Sequence, residues 1–135
     1  AEGARFADTH ARVGLLPGWG LSQKLGRLIG INRAREASLT GNFIDAETAM
    51  TWGLVNKVCS PETLIENSLA AAQQIAESNP QTISAMRSLM NDGDLLSLGE
   101  ALELEGARGI AYLEHADFSQ MENRLQALKS RSKKS

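Results

Sequence analysis

Phe6-Ala7-Asp8-Thr9-His10-Ala11-Arg12-Val13-Gly14-Leu15-Leu16-Pro17-Gly18-Trp19-Gly20 is the stretch that decides the fold of this chain. An extended segment runs into a Pro-Gly-x-Gly turn, and an amphipathic helix opens directly after it. Gly18 and Gly20 flank Trp19, so the backbone can turn sharply and approach a ligand while a large indole packs beside it. On local chemistry alone, the same residues also fit a plain glycine-rich loop before a helix.

Downstream of Gly20, helix signals dominate. Leu21, Leu25, Leu28 and Ile29 recur on one face of a first helix, which Gly30 ends. A second helix is expected from about Asn32 to Leu39, with small Ala34, Ala37 and Ser38 for close packing and Gly41 beyond its end. Asp45 is placed to cap a third, DAETAMTW, with its stop at Gly53. Leu54 to Cys59 reads as a second strand, because Val55 and Val58 favour extended backbone. Ser60-Pro61 and Asn79-Pro80 are both helix starts, a capping side chain followed by a proline in the first turn. The apolar stripes Leu64, Ile65, Leu69, Ala72, Ile75 and Ala76, then Ile83, Met86, Leu89 and Met90, follow those starts. Ser97 with Glu100 has capping-box spacing, and Asp117 with Gln120 repeats it before Met121, Leu125 and Leu128. The fold class expected is mainly α with one or two short strands.

Composition agrees with helices. The 135 residues are 42% hydrophobic but only 4% aromatic, so the core is built from Leu, Ile, Val and Ala. A formal net charge of -2 gives no global field toward nucleic acid. Lys129, Arg131, Lys133 and Lys134 form a local basic ending, ordinarily a solvated tail. Cys59, the single cysteine, lies in an apolar run, reads as a buried thiol in a reducing compartment and excludes a disulfide framework or a cysteine zinc site. No apolar run is long enough to span a membrane, and the first ten residues lack the apolar core of a signal peptide. The absent initiator methionine and the abrupt start at a strand edge give the expectation of a fragment or processed piece.

Taken in order, several elements resemble one family. They are Phe6 on the strand, Gly14-Leu15-Leu16-Pro17-Gly18-Trp19-Gly20, the helix with Leu25 and Leu28, Leu39-Thr40-Gly41, Asp45-Ala46, and Ala49 through Val55 with its WGLVN core. Together they resemble the second half of the crotonase superfamily, the enoyl-CoA hydratases and isomerases. The resemblance implies the C-terminal part of a crotonase-like α/β fold, a ββα spiral followed by a helical trimerisation region. Residues 1–59 would then belong to the core, 60–128 to a helical assembly region and 129–135 to a basic tail.

The resemblance also implies a chemistry. Family members bind acyl-CoA thioesters, with coenzyme A as part of the substrate and no separate cofactor, and stabilise an enolate-like intermediate with two backbone N–H donors. Preorganised donors act because they favour the charge that develops in the transition state over the ground state. In the family those donors and the first catalytic glutamate lie upstream of the matching region. The second glutamate falls in a segment that usually reads F-G-x-P-E, which here reads Phe6-Ala7-Asp8-Thr9-His10, so His10 stands at the glutamate position. An imidazole there is either a proton-transfer group near neutral pH or a hydrogen-bonding pocket residue. Strand alternation would put Asp8 on the same face as His10, so that both line one pocket and Thr9 points away.

Further expectations come from the same resemblance. Phe6, Gly18 and Trp19 would contact substrate, with Trp19 narrowing the acyl pocket; the alternative for its indole is core packing between helices. Trp52, within WGLVN, is expected to pack. Lys129 and Arg131 would reach the CoA phosphates of a neighbouring subunit in a homo-oligomer, a trimer or hexamer. The compartment would be the cytosol, mitochondrial matrix or peroxisome, and the ending Arg-Ser-Lys-Lys-Ser is not itself a peroxisomal tripeptide.

Overall fold

A computed structural model describes residues 1–116 and 118–131. The chain divides into two compact units, Ala1–Gln74 and Ile75–Ser135.

In the first unit, strand β1 (Arg5–Phe6) pairs antiparallel with β2 (Ile44–Asp45), Arg5 opposite Asp45 and Phe6 opposite Ile44. Helices α1 (Leu21–Ile29), α2 (Ile31–Thr40) and α3 (Ala46–Thr51) pack around this short ribbon. Gly30 alone joins α1 to α2, at φ 86° and ψ 144°, a backbone state that L side chains rarely adopt. The two helices cross closely at Gly26, where a Cβ would stand 3.2 Å from Ile31 Cδ1. Buried Ala34 and Ala37 sit on α2, as its small residues led us to expect. On α1 only Leu25 and Ile29 are buried; Leu28 is 60% exposed and leaves the expected four-residue face.

Two small clusters make the core. Leu25, Ile29 and Ala34 form one, and Ala37, Ile44 and Ala49 the other; Trp52 and Leu54 pack against both. Trp52 therefore has the packing role expected of it, and the Arg33 guanidinium lies 5.6 Å from its ring centroid. Asp45 caps α3 as its spacing predicts, its carboxylate accepting the Thr48 N–H at 2.7 Å.

Leu54 to Cys59 is not a strand. The N–H groups of Leu54 and Val55 turn back to the Ala49 carbonyl, at 2.8 and 3.3 Å, so they close α3 instead of entering a ladder. Cys59 is half-buried, not buried, and its carbonyl accepts the Glu2 N–H at 2.8 Å. Ser60-Pro61 opens a 3-10 turn, Pro61–Thr63, without a capping bond from the Ser60 hydroxyl, and α4 (Leu64–Ala76) follows.

Helices α5 (Pro80–Gly93), α6 (Leu98–His115) and α7 (Met121–Arg131) make up the second unit. Asn79 caps α5 through the Thr82 N–H, and Ser97 and Glu100 close the expected capping box. The Asp117 half of the second expected box lies outside the described residues. Thr82, early in α5, bonds Tyr112, late in α6, at 2.6 Å, whereas Asp92, late in α5, pairs with the earlier Arg108 at 2.6 Å. That crossing order makes α5 and α6 antiparallel. Among the described residues no helix is long and apolar enough to cross a membrane.

Candidate functional site

Asp8 and His10 do come together, though not by strand alternation. β1 ends at Phe6, and His10 has helical backbone angles as it leads into a 3-10 turn, Ala11–Val13. The turn itself folds the two side chains onto each other: His10 Nδ1 lies 2.7 Å from Asp8 Oδ1, and the His10 N–H donates to the same oxygen at 3.1 Å. Asp8 is buried, with a side chain 5% exposed, whereas the imidazole is 38% exposed. Arg12 fixes the following turn from outside, donating from Nε to the Thr40 carbonyl at 2.7 Å and from Nη2 to Asn42 Oδ1 at 3.1 Å.

Burial pushes the Asp8 carboxyl up, but hydrogen bonds from Ser38 and His10, with the charge of His10, outweigh it and hold the group below the usual carboxylate range. Asp8 is thus ionised at neutral pH. It lies on a cleft of about 390 Å³ whose apolar wall is Phe6, Leu21, Leu25, Ile44 and Leu54, with Arg5 as the other charged group on the lining. An apolar cleft with one or two placed polar groups is the usual form of a small-molecule site. Ser38 was legible only as a small packing residue; its place on α2 next to buried Ala37 is the signal that it faces inward.

Other expected site residues lie elsewhere. Phe6 lines the cleft with Asp8, but His10, Gly18 and Trp19 do not, so the expectation that Asp8 and His10 both line one pocket holds only for Asp8. The Trp19 indole is 99% exposed, so it packs in no core. The sharp turns of this loop fall at Gly14, φ 73°, and Gly20, φ 91°, and not at Gly18. Lys129 is an exposed residue of α7, which ends at Arg131 in the second unit; the Arg131 side chain, Lys133 and Lys134 lie outside what is described. A larger groove of about 480 Å³ runs between α5 and α6, but its polar groups, Thr82 with Tyr112 and Ser88 with Arg108, already bond each other. No cluster of three or more metal-ligating side chains occurs among the described residues.

The family described as enoyl-CoA hydratase/isomerase matches residues 1–130. The chain belongs to the enoyl-CoA hydratase/isomerase family. Among its relatives is the Arabidopsis thaliana protein named "Probable enoyl-CoA hydratase 1, peroxisomal", 44% identical over 112 residues, which are 83% of this chain and 42% of that protein. The enoyl-CoA hydratase subunit I structure from Geobacillus kaustophilus HTA426 superposes with a TM-score of 0.82 at 31% identity, over 96% of this chain and 50% of that one. A Thermobifida fusca YX structure in complex with acetoacetyl-CoA gives a TM-score of 0.78 at 25% identity, over 86% of this chain and 46% of that one. The mainly helical fold with its short ribbon is thus that of crotonase-fold enoyl-CoA hydratases, and the chain spans about half the length of the relatives it matches.

Proposed function

We propose that this protein acts on acyl-CoA thioesters through an enolate, with coenzyme A entering as part of the substrate, and that His10 moves the proton while Asp8 holds it. The observation that carries this reading is the 2.7 Å contact between His10 Nδ1 and a buried, ionised Asp8 on an apolar cleft, in a chain of the enoyl-CoA hydratase/isomerase family. A glutamate at the position of His10 would move a proton as a carboxylic acid. An imidazole does the same work through a ring nitrogen that accepts and returns the proton. Phe6 supplies apolar wall, the Gly18-Trp19 loop meets the acyl group, and Lys129 and Arg131 meet CoA phosphates in a homo-oligomer whose contacts are made by the helices of residues 60–128.

Crotonyl-CoA hydration and double-bond isomerisation, assayed in the whole protein beside His10→Ala, test the proposal. General acid–base catalysis is commonly worth roughly 100- to 10,000-fold, so the variant should lose activity on that scale. Unchanged turnover would remove His10 from the mechanism. A second reading is an acyl-CoA-binding protein without turnover, favoured by the imidazole standing where the F-G-x-P-E pattern has its glutamate. Calorimetry with an inert acyl-CoA, run beside the product assay, separates the two.

A further inference from the structure

Asp8 is the one buried polar or charged side chain among the described residues, at 6% exposure. A carboxylate removed from water is costly unless its oxygens are bonded. Here the turn that carries His10 supplies two bonds, both to Oδ1, and Ser38 on helix α2 also acts to lower the carboxyl pKa. The His10 N–H, at 3.1 Å, closes an i to i+2 turn on Oδ1. The acceptor that the ring meets is therefore already fixed to the backbone.

A ring nitrogen and a carboxylate oxygen 2.7 Å apart have a proton between them, because two facing lone pairs at that distance repel. Since Asp8 is ionised, that proton belongs to nitrogen. We propose that Asp8 is a positioning residue that holds neutral His10 as its Nδ1–H tautomer, leaving the Nε2 lone pair as the atom that accepts and returns the substrate proton.

This rests on the reading of His10 as the proton-transfer group. When Nε2 takes a proton from the carbon α to the thioester, that C–H bond breaks, its electron pair passes into the enolate, and the ring becomes an imidazolium facing Asp8. Return of the proton to carbon reverses each change. No bond to Asp8 forms or breaks, and its charge stabilises the imidazolium. Arg5, the other charged group on the cleft, stands opposite Asp45 in the ribbon.

Nitrogen-15 NMR of the His10 ring reads the tautomer without substrate. The neutral ring should show Nε2 at the downfield position of an unprotonated nitrogen and Nδ1 at the upfield position of a protonated one. In the urea-unfolded chain the same ring should revert to the Nε2–H form that solvated histidine prefers. Asp8→Ala should produce that reversal in the folded protein, and Ser38→Ala, a milder change, should shift the ring only part of the way. A folded protein whose neutral His10 carries its proton on Nε2 overturns the proposal, and this needs no variant to observe. An Nδ1–H ring beside turnover that ignores His10→Ala would keep the positioning and sink only the proton-transfer reading.

Discussion

The two units use the same local grammar and reach different ends. In Ala1–Gln74 the helices bury Leu25, Ile29, Ala34, Ala37, Ala46 and Ala49, whereas α5 and α6 of the second unit bury no residue. Caps do not explain the contrast. Asn79 and the Ser97–Glu100 box are fully formed helix starts, yet Met90 is 67% exposed and Ile110 66% exposed. What the first unit adds is contact from several directions: a one-glycine link between α1 and α2, a ribbon laid across α3, and Trp52 touching both clusters. Caps start helices, and only convergent elements bury their faces.

The contrast can be broken most directly through the core. Ile29→Ala empties a site 3% exposed and should cost about 2–5 kcal/mol in urea unfolding. Met90→Ala should change the same midpoint by less than about 0.5 kcal/mol. Equal costs at the two positions would erase the distinction between the units. Gly41→Ala comes next, at about 1–2 kcal/mol. Its φ of 60° is left-handed, and a Cβ there would stand 2.7 Å from Arg12 Nε. Restoration of stability by Gly41→Ala combined with Arg12→Ala would assign part of that cost to the clash.

Cap removal should be felt in the second unit despite its bare faces. Asn79→Ala and Ser97→Ala are each expected to cost about 1 kcal/mol, read as lost helicity by circular dichroism. A silent Asn79→Ala would mean that α5 is held by something other than its own start. The smallest effect is a matter of pH and salt. The Thr48 N–H holds the Asp45 carboxyl, and Arg108 the Asp92 carboxyl, below their ordinary value of 3.8. Both contributions are complete above that value and lost as pH falls through the lower folded one. High salt should weaken the half-exposed Arg108–Asp92 pair and leave the Asp45 cap nearly untouched, because the cap's donor is a neutral N–H. Acid titrations at two ionic strengths check this.

What was legible in the sequence divides along the same physical line. Helix starts at Asp45, Asn79 and Ser97 are written within four residues, and each formed as its spacing required. The β2 strand, Ile44–Asp45, is too short to carry any alternation, so Leu54 to Cys59 took its place in the expectation. Val55 favours extended backbone, but the chain turns back on α3 after Gly53, at φ 80°, and its N–H groups go there. Asp8 and His10 were legible as neighbours because they are two residues apart, while the geometry that joins them is a turn. Ser38 was not legible as a site residue, since its bond to Asp8 depends on how α2 lies across the unit.

The two tryptophans carry an optical consequence. Trp19 is 99% exposed on its loop, and Trp52 is packed against both clusters under a guanidinium. The first should emit at long wavelength and yield to iodide, and the second should emit further to the blue and resist it. Any ligand or polypeptide that covers the Leu15-to-Gly20 loop then announces itself as a blue shift of the quenchable component alone, so the chain carries its own docking reporter with an internal reference.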